Sequence, residues 1–104
     1  MVKIKRKGSK VVIKPEDDLT DSEAFELRKE LLKLLSESVK KFKLLFDLEK
    51  ITYIDSKGLA ILIALYNSLK EKGETLEIIN VSEEIFKLFN TLKINEILNV
   101  SEKQ

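Results

Sequence analysis

The chain has 104 residues, and its 19 lysines and arginines nearly balance its 18 acidic residues, which gives a net charge of +1. This small net charge provides no bulk attraction to nucleic acid or to an anionic membrane, so we expect no nucleic-acid partner. Cysteine and histidine are both absent. Their absence excludes disulfides, thiol nucleophiles, Ser–His triads, and thiolate or imidazole metal sites. With 43% hydrophobic and 36% charged residues, residues 1–104 are predicted to fold as one domain.

The first residues, "MVKIKRKGSK", lack the apolar core of a signal peptide. Their basic side chains alternate with Val2 and Ile4, which favours a solvated strand face over a binding arm. The longest apolar run extends from Leu59 to Tyr66 and is too short to cross a bilayer. We therefore expect a soluble, cytoplasmic protein without membrane insertion.

The first elements are predicted to be a hairpin and an amphipathic helix. Two strands flank Gly8-Ser9, a pair typical of a type II′ turn, and Pro15 ends the second strand. Thr20 and Glu23 have the spacing of a capping box at a helix start. The apolar residues of this helix approximate one stripe: Phe25, Leu27, Leu31, Leu34, Leu35 and Val39.

Strands and helices are predicted to alternate in the rest of the chain. "KLLFDL" reads as a strand whose continuous apolar run indicates burial on both faces. A second helix runs from near Ser56 to Lys72 and stops at Gly73, a natural residue after a helix end. "TLEIINV" is the next strand, Ser82 caps a third helix, and "INEILNV" forms a last short helix or strand. The predicted core contains Leu44, Leu45, Phe46, Ile61, Leu62, Leu65, Ile78 and Ile79.

This order predicts an α/β fold in which an N-terminal hairpin opens a mixed β-sheet and parallel crossovers supply the helices. In such sheets the loops that follow the carboxyl ends of parallel strands meet at one rim, where ligands and partners usually bind. Here those loops are Pro15–Thr20, Glu49–Gly58 and Asn80–Ser82. The rim is therefore the candidate site.

One rim loop contains a polar interruption between two apolar segments, in "YIDSKGLAIL" from Tyr53 to Leu62. Asp55 or Ser56 before an apolar helix is an ordinary helix cap. However, Gly58 in a first helical turn costs about 1 kcal/mol relative to alanine, which a cap alone does not explain. The pattern therefore leaves two interpretations, a helix cap and a functional site.

In this strand–loop–helix context, "IDSKGLAIL" resembles the Asp-Ser-Ser-Gly-Leu-Gly signature of the STAS domain, typified by bacterial anti-sigma factor antagonists. The hairpin, the amphipathic helix, "LLFDLEKITYIDSKGLAIL" and "ETLEIINVSEEIFKLFNTLKI" extend the resemblance over essentially the whole chain. Three positions depart from the family pattern. Lys57 stands where the family has a second serine, and Ala60 stands where it has a second glycine. In addition, "DDLT" replaces a loop that commonly reads Gly-Xaa-Leu/Ile-Asp. Asp17 thus takes the place of the glycine, and Thr20 takes the place of the aspartate.

The resemblance implies a phosphorylation site at Ser56, modified by an anti-sigma factor that is itself a serine kinase. The unphosphorylated antagonist would bind that factor, and a phosphatase would restore the binding form. The candidate partner-binding residues on the rim are Asp18, Thr20, Asp21, Asp55, Ser56, Lys57, Gly58 and Ser82. Gly58 is interpreted as making room for a partner's backbone.

The leading hypothesis is thus a non-enzymatic binding module, an anti-sigma factor antagonist that phosphorylation of Ser56 switches off, with no cofactor and no metal. The alternative is a stand-alone STAS subunit of another assembly, such as a stressosome or a lipid-transport complex, in which Ser56 only caps a helix. An enzyme is disfavoured because no histidine or cysteine exists.

Overall fold

The computed structural model describes residues 2–37 and 43–102, apart from the side chains of Asp21, Ser22, Leu35 and Glu37. The described elements are β1 (Val2–Lys7), β2 (Lys10–Pro15), α1 (Asp21–Glu37), β3 (Lys43–Asp47), α2 (Ser56–Glu71), β4 (Thr75–Val81), α3 (Glu83–Thr91), a 3-10 helix (Ile94–Glu96) and β5 (Asn99–Glu102). The strands form one mixed sheet in the order β1-β2-β3-β4-β5. The predicted α/β order is confirmed, and "INEILNV" supplies both the short helix and the start of the last strand.

The hairpin has the predicted geometry. β1 and β2 are antiparallel, and Lys7 pairs with Lys10 across the turn. Gly8 has a φ of 61°, whereas Ser9 is not among the residues with positive φ. This sign pattern is that of a type II′ turn. Pro15 is the last residue of β2, as predicted.

All three α-helices cover the same face of the sheet. β2, β3, β4 and β5 are parallel and lie side by side in chain order. Because crossovers between parallel strands are right-handed, a sheet that grows in one direction places every connecting helix on one side. The strand residues that point to that side are buried: Val11, Ile13, Leu44, Phe46, Leu76 and Ile78.

The other face of the sheet is not covered by the described helices. Half-buried Leu45 and Ile79 lie there beside Lys14, Asp47 and Glu77. The prediction that "KLLFDL" is buried on both faces is therefore wrong. The helices that connect β3 to its neighbouring strands both lie on the first face, so no described helix covers the second face. The predicted core is confirmed at Leu44, Phe46, Leu62, Leu65 and Ile78 and is only half-buried at Leu45, Ile61 and Ile79.

The helices bury apolar stripes against this core. α1 contributes Ala24, Leu27, Leu31 and Leu34, α2 contributes Leu62, Leu65 and Leu69, and α3 contributes Ile85 and Phe89. Phe25, which was predicted to lie on the α1 stripe, is 66% exposed, and Val39 lies outside the described residues. Gly73 follows the Lys72 cap of α2 with a φ of 72°, as predicted. Within the described chain, no helix combines the length and the apolar character needed to cross a membrane.

Candidate functional site

α2 begins with a side-chain cap from Asp55. Asp55 has an extended backbone (φ −93°, ψ −178°), and its Oδ1 accepts a hydrogen bond from the Gly58 N–H at 2.9 Å. Its carbonyl oxygen accepts from the Leu59 N–H at 3.0 Å. Ser56 is therefore the first residue inside the helix. The prediction that one of these two residues caps the helix is confirmed for Asp55 and is wrong for Ser56.

Ser56 and Lys57 are both exposed at this helix start. Amides of a first helical turn have no carbonyl partner within the helix, and the helix dipole makes the site favourable for negative charge. A hydroxyl at the first position can therefore carry an anionic group without burying it. Lys57 adds a positive charge to the same turn.

Gly58 is buried against the loop that precedes α1. A Cβ at position 58 would lie 2.5 Å from the Leu19 carbonyl oxygen and 2.9 Å from Ile54 Cγ2. The space beside this glycine is thus filled by the chain itself. This finding corrects the interpretation that Gly58 makes room for a partner's backbone, because the close approach is internal.

The same two loops are joined by backbone hydrogen bonds. The Leu19 N–H donates to the Tyr53 carbonyl at 3.2 Å, and the Asp55 N–H donates to the Leu19 carbonyl at 3.1 Å. Leu19 and Ile54 form a parallel bridge. Because Asp55 is the cap of α2, this bridge fixes the helix start relative to α1.

The Asp18 side chain adds hydrogen bonds between the same two loops. Its Oδ1 accepts from the Thr52 N–H at 2.7 Å and from the Tyr53 N–H at 3.2 Å, and the Thr52 hydroxyl donates at 3.2 Å. The Thr52 N–H is the main reason why the pKa of Asp18 lies below its usual value; partial desolvation opposes this shift, and the other two donors add to it. Contact of Asp18 with a partner stays a prediction, but its carboxylate already has an internal role.

The remaining predicted site residues lie along the rim. Thr20 immediately precedes α1, and its carbonyl accepts from the Ala24 N–H at 2.7 Å. Asp21 is the first residue of α1. Ser82 follows β4 and caps α3, because its Oγ accepts from the Ile85 N–H at 3.2 Å. The structure thus joins the Asp18–Thr20 segment directly to the start of α2, whereas Ser82 lies at the end of the next strand.

Two residues of the predicted rim loops were not among the predicted partner-binding residues. Tyr53 is 57% exposed three residues before Ser56 and offers a large surface for contact. Asn80 has a φ of 57°, and its Nδ2 donates to Asp47 Oδ1 at 3.2 Å, which links the end of β4 to the end of β3. In the sequence, Tyr53 is recognisable as an aromatic residue in a polar loop. Asn80 is recognisable as an asparagine at a strand end, where this residue type tolerates a positive φ.

Comparisons with known proteins agree with this geometry. The family model described as "Mlab, STAS domain" matches residues 2–99. The anti-sigma-B factor antagonist of Bacillus subtilis is 30% identical over 56 residues, which is 54% of this chain and 51% of that protein. The chain thus aligns with about half the length of this curated relative.

Solved structures share the fold at low identity. An anti-sigma factor antagonist from Mycobacterium paratuberculosis superposes with a TM-score of 0.83 at 15% identity, covering 97% of this chain and 84% of that one. The Bacillus cell fate determinant SpoIIAA in its phosphorylated form superposes with a TM-score of 0.75 at 14% identity, covering 96% of this chain and 90% of that one. The matched model covers nearly all of the sequence and the fold agrees, so the resemblance seen in "IDSKGLAIL" is confirmed: the chain belongs to the STAS domain family.

Proposed function

We propose that this chain is an anti-sigma factor antagonist, a binding module without enzymatic activity that sequesters an anti-sigma factor. We further propose that the serine-kinase activity of that factor phosphorylates Ser56 and thereby switches binding off. The observation that carries the proposal is the exposed Ser56 as first residue of α2, held in place by the Asp55 cap. The relationship to an anti-sigma-B factor antagonist and the fold shared with SpoIIAA, solved in a phosphorylated form, support it.

The position of Ser56 explains how a phosphate could be added without unfolding the domain. The Ser56 Oγ would bond to the γ-phosphorus of ATP as the bond to ADP breaks, and the hydroxyl proton would leave to a base of the kinase. The new group carries a charge of about −1.5 to −2 and would lie at the start of α2, where the helix dipole favours negative charge. Phosphatase hydrolysis would return the free hydroxyl.

The same charge would act against a docked partner. A phosphate at the centre of an interface must lose water or meet like charge, and each costs binding free energy. Tyr53, which is exposed near Ser56, and the loop held by Asp18 would form the surroundings of that surface. The rim would thus be a rigid binding surface with one modifiable residue.

The direct test is phosphate incorporation. The protein purified from its native host should contain a fraction heavier by one phosphate, and peptide mapping should place that phosphate on Ser56. Ser56→Ala should abolish it, whereas Ser36→Ala, which changes another exposed serine, should not. A phosphate that persists in Ser56→Ala would refute the assignment.

A second candidate is a STAS subunit of a larger assembly without a phospho-switch. The observation that favours it is the family model itself, which is described as "Mlab, STAS domain" and not as an antagonist. Under this candidate, protein from the native host would carry no phosphate on Ser56 and would co-purify stoichiometrically with other subunits.

A further inference from the structure

A groove of about 380 Å³ runs between α1 and α2 on the outer surface of the helical layer. It is lined from α1 by Arg28, Leu31 and Leu32 and from α2 by Ala60, Ile61 and Ala64. The floor is apolar because Leu31 and Leu65 belong to the core below it. This groove is separate from the rim, although Ala60 lies one helical turn after Ser56.

The groove is open because α2 presents small side chains to it. Ala60, Ala64 and Ser68 lie at intervals of four residues, so they stack along one line of the helix. Leu32, on the opposite wall, is left 56% exposed. A larger residue at position 64 would fill the space between the two helices.

Exposed apolar surface continues beyond the groove on α1. Phe25 is 66% exposed and lies seven residues before Leu32, on the same side of α1. Exposed hydrophobic residues are ordinary when scattered, but a contiguous set around a groove indicates a contact surface.

Positive charges lie in the groove and beside it. Arg28 is the charged residue of the lining, and the described lining contains no acidic residue. The Lys29 Nζ lies 6.0 Å from the centroid of the Phe25 ring, and Lys57 is exposed one turn before Ile61. A second copy of this chain would bring the same cations together, so the charge pattern favours an acidic partner over self-association.

We propose that the α1–α2 groove binds an amphipathic helix of a partner protein, with apolar residues at i, i+3, i+4 and i+7 and acidic residues beside them. A helix fits a groove between two other helices, because its ridge of apolar side chains can enter the groove. Acidic residues beside that ridge would then lie near Arg28 and Lys29. This inference goes beyond the proposed function, because it requires neither phosphorylation of Ser56 nor an anti-sigma factor.

The test uses designed peptides and isotope-labelled, unphosphorylated protein. An acidic amphipathic peptide with leucines at the four apolar positions and glutamates beside them is titrated and followed by NMR. The controls are a scrambled peptide of the same composition and a peptide with lysines in place of the glutamates. Saturable shifts should map to Arg28, Leu32, Ala60 and Ala64, and both control peptides should bind at least about tenfold more weakly.

Two pairs of variants separate groove binding from nonspecific contact. Ala64→Leu should fill the groove and abolish the shifts, whereas Asn67→Leu, which changes an exposed residue of α2 outside the lining, should not. Arg28→Glu should weaken binding about tenfold and Lys33→Glu, on the other side of α1, should not.

No saturable binding at millimolar peptide, unchanged binding by Ala64→Leu, or shifts confined to another surface would overturn the proposal. Concentration-dependent shifts at these residues without peptide would show self-association instead and would also overturn it.

Discussion

The Leu19 carbonyl oxygen lies so close to Gly58 that a Cβ at position 58 would sit 2.5 Å from it. This contact joins the loop before α1 to the first turn of α2, and only a residue without a side chain fits there. The glycine is therefore required by the packing of the candidate site itself.

Gly58→Ala should consequently destabilise the domain. Alanine gains about 1 kcal/mol of helix propensity over glycine, but the Leu19 carbonyl is backbone and cannot turn aside, so overpacking of about 1–3 kcal/mol should more than cancel that gain. The measurement is the free energy of unfolding by chemical denaturation. Ala64→Gly, at an exposed position of the same helix, gives the effect of propensity alone, about 1 kcal/mol. A Gly58→Ala protein more stable than the wild type by the full propensity gain of about 1 kcal/mol would contradict the close approach.

The cap of α2 can be assigned by a pair of alanine variants. Asp55→Ala removes the side-chain acceptor of the Gly58 N–H and should cost about 1 kcal/mol, whereas Ser56→Ala should change stability by less than about 0.5 kcal/mol because it removes no cap. Thermal melts of both variants provide the comparison. The reverse order, with the larger loss in Ser56→Ala, would mean that the serine caps the helix.

The fold was largely predictable because its signals are local. Gly8-Ser9 marks the turn by itself, and the ends of α2 follow from the polar residues before it and from Gly73. What could not be predicted depends on contacts between distant segments. The Thr52 N–H that donates to Asp18 is 34 residues away in the chain. The sequence around either residue contains no pattern that predicts this hydrogen bond.

Burial was mispredicted for the same kind of reason. The run "KLLFDL" looks equally apolar whether one or both faces of β3 are covered. Helix placement depends on the strand order of the whole sheet, which puts α1, α2 and α3 on one side and leaves Leu45 half-exposed. Likewise, the choice between Asp55 and Ser56 as the cap depends on the loop geometry that Leu19 imposes.

Asp18 should make part of the stability depend on pH. Its pKa in the folded protein is below the unfolded value of about 4. The resulting stabilisation is therefore fully present above that unfolded pKa and is lost as the pH falls through the folded pKa. Asp18→Asn should flatten the dependence of unfolding free energy on pH in this acidic range. An identical pH profile for Asp18→Asn and wild type would refute this role.

The functional prediction concerns Ser56 and a kinase-type anti-sigma factor from the native host. Ser56→Ala should bind that factor at least as well as the wild type, since the hydroxyl is small and only a phosphate is repulsive. Phosphorylated wild type should bind much more weakly, and a penalty of about 3 kcal/mol would exceed a hundredfold in affinity. Ser56→Asp should weaken binding less, because one carboxylate has about half the charge of a phosphate and a different geometry. Calorimetric titration of each form, with nucleotide present, measures these affinities.

The control for this series is folding, because a loss of binding must not come from a loss of structure. The Ser56 variants and the phosphorylated protein should keep near-native melting temperatures, since Asp55 remains in place as the cap and a helix start favours negative charge. Ser101→Asp, at an exposed position on β5, should bind like the wild type and so exclude a general effect of charge. Equal affinity of the phosphorylated and unphosphorylated proteins would rule out the switch and would favour a STAS subunit whose Ser56 is an ordinary surface residue.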